Sequence, residues 1–161
     1  MKNIILYLIL ILLLTSCIIQ KGILYNGECR PKNPNFKLSK IALVSTNKIV
    51  FQRVYEGTKT SLGLGFYQDG RLICLNSKDG LSLKAEDVIG KDWENAIAIG
   101  YWRCKEDKIK VEFFVCQENG FYVLKQGQIK GDTLVFYQNI YYPTRKEVRE
   151  ETFIITNMSF K

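Results

Sequence analysis

Residues 98–115 read AIGYWRCKEDKIKVEFFV and contain the pattern that decides the fold. Glu106-Asp107 can form a two-residue turn between two runs in which apolar and polar residues alternate, as in a half-buried antiparallel pair. This turn sets a register with apolar residues or glycine on one face and polar residues on the other. The inward pairs would be Cys104–Ile109, Trp102–Val111, Gly100–Phe113 and Ala98–Val115, and the outward pairs Arg103–Lys110 and Tyr101–Glu112. The stretch therefore predicts a β-hairpin with one buried face.

Short apolar runs separated by turn residues continue on both sides of this hairpin. Asp69-Gly70 and Asn119-Gly120 are strong hairpin turns, and residues 83–95 are the candidate helix. Because closure removes exposed strand edges, the pattern predicts an all-β, antiparallel, up-and-down eight-stranded barrel or half-open meander with one short helix. The eight predicted strands cover residues 49–55, 62–67, 71–75, 97–104, 109–117, 121–129, 133–140 and 152–160.

Three turn-centred motifs in this region resemble a known family. They are the hairpin Gly65–Arg71, the run from Gly100-Tyr101-Trp102 to Asp107-Lys108-Ile109, and the stretch Gly127–Leu134. Together they resemble small lipocalin-like lipoprotein domains over roughly residues 60–140. This resemblance implies an eight-stranded barrel with a central cavity.

Inward residues of neighbouring strands would line such a cavity. A two-residue turn at Asn119-Gly120 would bring two glutamines inward, opposite the apolar residues of the first hairpin. Apolar walls with a few fixed polar groups are typical of ligand cavities. The alternative is a bulge at Gly127 that turns both glutamines outward. The pairs would be Gln126–Phe113 and Gln128–Val111, and the candidate ligand-lining residues are Trp102, Val111, Phe113, Gln126 and Gln128.

The N-terminal sequence MKNIILYLILILLLTSC has the composition of an export signal. Lys2 precedes an apolar run from Ile4 to Leu14, which is shorter than the about 20 residues that span a bilayer. Leu14-Thr15-Ser16-Cys17 resembles the lipobox of bacterial lipoproteins. The resemblance implies cleavage before Cys17, a diacylglyceryl thioether on its sulfur, and anchoring by two or three acyl chains. The alternative is an uncleaved anchor helix.

These features divide the chain into three parts. We expect a lipoprotein signal peptide over residues 1–16, a lipidated N-terminus and flexible tether over 17–40, and the β-barrel domain over 41–161. Ile18-Ile19-Gln20-Lys21 has no acidic sorting residue, so we expect an outer-membrane location facing the periplasm. In a single-membrane bacterium the same chain would lie on the outer face of the cell membrane. The expected partner is the membrane, through the anchor, and no nucleic acid is expected after export.

Four cysteines remain once Cys17 carries lipid: Cys29, Cys74, Cys104 and Cys116. An even number in an exported chain permits disulfides, and the alternative is four buried thiols. The hairpin register places Cys116 seven positions beyond the level of Cys104, which is about 23 Å along a strand. A disulfide needs Cα atoms within about 7 Å. Cys104 and Cys116 are therefore not expected to bond to each other, whereas the other pairings stay open.

The chain contains no histidine and no Cys-x-x-Cys. This removes histidine-dependent catalysis and the commonest transition-metal ligand, so we expect neither enzymatic activity nor a metal or cofactor. The first functional hypothesis is a lipid-anchored module that binds a small apolar or amphipathic ligand. The second is an interaction protein that docks an envelope partner through the barrel surface. An open cavity predicts polar inward positions and a lid over residues 83–95, whereas a filled barrel predicts bulky apolar residues inside.

Overall fold

The computed structural model describes residues 22–141 and 146–161, whose strands form a small hairpin and a closed antiparallel barrel. Each barrel strand pairs with its neighbours in the chain, and the last pairs with the first, which confirms the predicted up-and-down eight-stranded barrel. The hairpin consists of β1 (Gly22–Tyr25) and β2 (Glu28–Pro31). The barrel consists of β3 (Arg53–Gly57), β4 (Leu62–Phe66), β5 (Arg71–Asn76), β6 (Ala98–Lys105), β7 (Lys108–Val115), β8 (Phe121–Lys130), β9 (Thr133–Tyr141) and β10 (Lys146–Ser159).

The β6–β7 hairpin has the register that its sequence predicts. Its ladder runs from Lys105–Lys108 at the turn through Trp102–Val111 to Gly100–Phe113. Glu106 has a positive φ of 56°, as a tight hairpin turn requires. The side chains of Trp102 and Val111 therefore point into the barrel, where both are buried.

The barrel interior is occupied by large side chains. Five of these residues, contributed by different strands, are each less than 2 % exposed: Tyr55, Phe66, Trp102, Phe136 and Phe153. Phe66 contacts Trp102 edge-on with ring centroids 5.9 Å apart, and Phe136 contacts Phe153 in the same way at 5.7 Å. Offset and edge-on ring pairs add to the free energy of apolar burial. The central cavity that the family resemblance implies is therefore filled by side chains in the described part of the chain.

Part of the outer wall is covered by the connection between β5 and β6 and by the C-terminus. Gly63 and Gly65 of β4 leave room outside the wall, and a Cβ at either glycine would collide with Leu83 or with the ring of Phe160. Leu83, Val88 and Phe160 thus form an outer hydrophobic cluster with apolar residues of β3 and β5. Residues 83–96 lie on the wall of the barrel, and this position differs from that of a lid over an open cavity.

Another part of the outer wall is covered by residues 22–40, so the flexible tether predicted over 17–40 is corrected for these residues. The side chain of Phe36 is buried against the rings of Tyr101 and Tyr122. The amide of Leu38 donates a hydrogen bond of 2.8 Å to the buried carboxylate of Glu112. Aromatic packing and backbone bonding together fix this segment, which composition alone assigned to a linker. Residues 17–21 lie outside the described residues.

The helices are shorter than the candidate helix predicted over 83–95. Only α1 (Ala85–Val88) is α-helical in that stretch, and Gly90 follows it with a φ of 75°. Two 3-10 turns cover Leu38–Lys40 and Gln117–Asn119. The last strand begins at Lys146, ahead of the predicted 152, because its first residues pair with β9. Within the described ranges, no helix has the length and hydropathy to cross a membrane.

The two ends of the barrel are built differently. At one end, here called the plugged end, residues 43–51 cross the opening and bury Ile49 in the interior cluster. The ring of Phe51 lies 5.8 Å from that of Trp102, and the amide of Val50 donates to the hydroxyl of Tyr55. The opposite end, here called the rim, carries the connections 58–61, 77–97 and 116–120.

Candidate functional site

The five predicted ligand-lining residues do not form one site. Trp102, Val111 and Phe113 are buried in the interior cluster, as their alternation predicts. Gln126 and Gln128 are exposed on the outer wall, so the inward orientation considered for them is wrong. The outward orientation named as the alternative is observed, although its cause is the register rather than a bulge at Gly127.

The connection between β7 and β8 explains this error. Val115 pairs with Phe121, so the loop contains residues 116–120 rather than the two residues of an Asn119-Gly120 turn. The register is consequently shifted by three positions, and Gln126 lies opposite Lys110. Because side chains alternate with a period of two, any odd shift exchanges the two faces of a strand.

Trp102 belongs to the core rather than to an open binding surface. Its indole Nε1–H donates a 2.9 Å hydrogen bond to the carbonyl oxygen of Tyr67. Its ring is packed by Phe51 and Phe66. With its polar atom bonded and its faces covered, this side chain leaves no ring surface for a ligand to stack on.

The corrected register places a charged pair inside the barrel. Lys125 lies opposite Val111, and Glu151 lies opposite Phe136, so both charged side chains face the interior. They form an ion pair in which the side chains are 16 % and 21 % exposed. The Nζ of Lys125 also lies 5.9 Å from the ring centroid of Phe113, within the range of a cation–π contact. Sequence reasoning missed this pair because it depends on the length of the β7–β8 loop.

The wall beside this pair has a gap. The ladder between β8 and β9 ends at Gln126–Tyr137, whereas β8 continues back to Phe121 and β9 continues on to Tyr141. Beyond that point each strand keeps its pairing only on the other side. The gap, here called the seam, opens into a cleft of about 570 Å³. Its lining includes Val123, Leu124, Lys125, Gln126, Gln128, Tyr137 and Gln138.

The outer wall next to the seam is polar and exposed. Among the described segments, neither residues 22–40 nor residues 83–96 cover its outward residues on β8 and β10. We call this surface the bare wall and define it by Leu124, Gln126, Gln128, Val148 and Glu150, all exposed.

The four cysteines in the described part of the chain are divided between one disulfide and two thiols. Cys29 of β2 bonds to Cys116 in the β7–β8 loop, with Cα atoms 5.9 Å apart. Cys74 and Cys104 are buried thiols. Burial raises the pKa of Cys74 to about 12, and desolvation also raises the pKa of Cys104. Since the thiolate is the reactive form, these environments suit structural rather than reactive cysteines.

Two further observations concern chemistry and anchoring. Among residues 22–141 and 146–161, no three acidic or thiol side chains lie close enough together to hold a metal ion. The signal peptide over residues 1–16 and the lipid attachment at Cys17 fall outside the described residues.

No protein-family model, curated protein or solved structure matches this chain.

Proposed function

We propose that this chain is a lipid-anchored, non-enzymatic protein of the cell envelope that docks a protein partner through its bare wall. The proposed location is the outer membrane, facing the periplasm. The observation that supports docking best is the filled interior, where Tyr55, Trp102 and Phe153 occupy space that a ligand would need. A barrel whose interior is packed in this way offers its outer surface for binding.

The positions of the segments that cover other parts of the barrel support the bare wall as the docking surface. Residues 22–40 cover one side of the barrel, and residues 83–96 with Phe160 cover another. The bare wall keeps Leu124 and Val148 about half exposed among polar neighbours. Next to it, the seam leaves strand edges of β8 and β9 unpaired on one side. Unpaired edges offer backbone donors and acceptors to an extended segment of another protein.

Photo-crosslinking in the producing bacterium tests this proposal. A photoreactive amino acid at Gln126 should give one discrete protein adduct, because Gln126 lies on the bare wall beside the seam. The matched control is Glu86, an exposed residue of α1 on the covered side. An adduct at Gln126 but not at Glu86 supports docking through the bare wall. Equal patterns at the two positions, or no adduct at Gln126 and Gln128, would overturn it.

Binding of a small amphipathic ligand at the seam is the second candidate, and the ion pair favours it. Lys125 pairs with Glu151, contacts the ring of Phe113 and lines the cleft together with Val123. The cleft of about 570 Å³ is large enough for a small molecule. A ligand would contact the ion pair with its polar end and the seam with its apolar part.

Native mass spectrometry of the full chain, extracted from its membrane, separates the two candidates. A bare protein mass favours docking. A small mass released on denaturation favours ligand binding, provided that the double variant Lys125→Met with Glu151→Leu releases much less of it. The same release from the double variant would place any ligand away from the seam.

A further inference from the structure

The described chain begins at the rim of the barrel. Gly22 lies against the end of β7 and the β7–β8 loop, since a Cβ on Gly22 would be 3.4 Å from the ring of Phe114 and 2.7 Å from the Sγ of Cys116. The backbone nitrogen of Gly22 is also 3.2 Å from where a Cβ on Gly120 would stand. The chain therefore enters the fold beside residues 116–120, at the end opposite the plug.

The distance from this entry point to the predicted anchor is short. Gly22 is the fifth residue after Cys17. A fully extended chain advances at most about 3.3–3.6 Å per residue, so Gly22 at the rim lies within about 18 Å of the Cα of Cys17. The plugged end lies one strand length beyond the rim, and strands of this size are about 20–30 Å long.

The first residues of the fold are apolar and face solvent. Ile23, Leu24 and Tyr25 form β1 and are 42 %, 80 % and 50 % exposed. Three consecutive exposed apolar residues are unusual in a strand, where one face normally packs inward. The disulfide from Cys29 to Cys116 ties β2 of this hairpin to the rim, and β1 pairs with β2 along its whole length.

We infer that the β1–β2 hairpin lies in the headgroup region of the bilayer that holds the anchor, with Ile23, Leu24 and Tyr25 in contact with lipid. This inference rests on the lipid anchoring in the proposed function. Exposed apolar residues also occur at the plugged end, among them Val44, which is 57 % exposed. The position of the chain start, rather than apolar exposure alone, selects the rim. Without residues 1–16, which contain Lys2, the chain keeps 22 Lys and Arg against 16 Asp and Glu, and this excess favours an anionic lipid surface.

This arrangement orients the whole molecule. The rim faces the membrane, the plugged end points away from it, and the bare wall stands roughly upright between the two. A partner reaching the bare wall would therefore approach along the membrane surface.

Quenching by brominated lipid tests the orientation. The lipidated full chain is reconstituted in vesicles of brominated anionic phospholipid, either unchanged or carrying Leu24→Trp. A side chain inserted about 5–10 Å into the interface should be quenched about twofold more than the native tryptophans. The matched control, Val44→Trp, adds an exposed tryptophan at the plugged end and should show the quenching of the unchanged chain.

The possible results distinguish a wrong orientation of the barrel from an absence of lipid anchoring. Mass spectrometry of the reconstituted chain first establishes whether Cys17 carries a diacylglyceryl group. If it does, and Leu24→Trp is quenched no more than Val44→Trp, the orientation is wrong while the anchoring stands. If Val44→Trp is quenched instead, the plugged end faces the membrane. An unmodified Cys17 would overturn the anchoring and the inference together.

Discussion

At the plugged end, Ile49 and Phe51 lie against the interior cluster, and Trp102 fills the space behind them. At the rim, the apolar contacts of Leu83 and Val88 are joined by a disulfide and by hydrogen bonds from side chains to the backbone. Arg30 illustrates the second mode, because its guanidinium donates to the carbonyl oxygens of Glu94 and Ala96 at 3.0 and 2.9 Å.

The difference follows from what each end has available. The plugged end is closed by one continuous segment, residues 43–51, so its apolar side chains can cross the opening and exclude water. The rim is made of separate loops, which must be tied to one another individually. Apolar burial stabilises broadly and without direction, whereas disulfides and ion pairs fix particular groups. The rim loops are therefore held at defined positions.

The largest effect should come from the plugged end. Trp102→Ala removes the ring between Phe51 and Phe66 and leaves the carbonyl oxygen of Tyr67 without its indole donor. We expect the free energy of unfolding to fall by about 3–5 kcal/mol, as for other buried aromatic truncations. Urea denaturation measures it, with Leu24→Ala as the exposed control expected to change little. A loss below about 1 kcal/mol would mean that the plugged end is not packed as described.

The next effect should come from the rim disulfide. Replacing both Cys29 and Cys116 with serine opens a link between residues 87 apart in sequence, and should cost about 2–4 kcal/mol of unfolding free energy. Limited proteolysis should also begin to cut within residues 22–40, because the covering segment loses its tie. The variant Cys104→Ala is the control, and its residues 22–40 should stay protected.

Thiol counting checks the pairing itself. Of the four cysteines from Cys29 onward, two should react as thiols in unfolded but unreduced protein, namely Cys74 and Cys104. In the folded protein Cys74 should resist alkylation at pH 8, since burial raises its pKa to about 12. Peptide mapping that joins any pair other than Cys29 with Cys116 would contradict the structure of the rim.

A smaller effect on stability should come from the Lys125–Glu151 ion pair inside the barrel. Lys125→Met leaves Glu151 partly buried without its partner and should cost about 1–3 kcal/mol, less than in a fully buried pair because both side chains keep some exposure. Adding Glu151→Leu should bring stability back to within about 1 kcal/mol of the unchanged protein. If the double variant stays as unstable as the single one, the cost arises from packing around the substituted side chain rather than from the lost pair.

The smallest effect should be a pH dependence at the rim. The carboxylate of Asp79 accepts hydrogen bonds from Lys84, Ser77 and the amide of Leu81, which hold its pKa below the usual range. A depressed pKa contributes stability above the unfolded value of about 3.9, and that contribution is lost as pH falls through the folded value. Asp79→Asn should therefore lower Tm slightly at pH 6, and the difference from the unchanged protein should narrow below about pH 4. Glu86→Gln controls for the loss of one charge, and a difference that is constant with pH would contradict this origin.

The sequence predicted the parts of the fold that depend on neighbours in the chain. The β6–β7 register followed from Glu106-Asp107 and from alternation on both sides of the turn. The number of barrel strands and their antiparallel order followed from the turn residues that separate the apolar runs. The inward positions of Trp102, Val111 and Phe113 followed from that same register. These features are local, because a tight turn fixes which residues face each other.

The tertiary structure decided what depended on loop length and on contacts between distant segments. Five loop residues at 116–120, in place of two, exchanged the faces of β8, so Lys125 points inward and Gln126 outward. The tie between Cys29 and Cys116 and the burial of Phe36 join segments that no local pattern connects. The sequence by itself determined a barrel of paired strands, since alternation and turns act over a few residues. Which charges lie inside, which wall stays bare and which end is plugged were set only when distant segments packed together, because those outcomes depend on register and space in the folded chain.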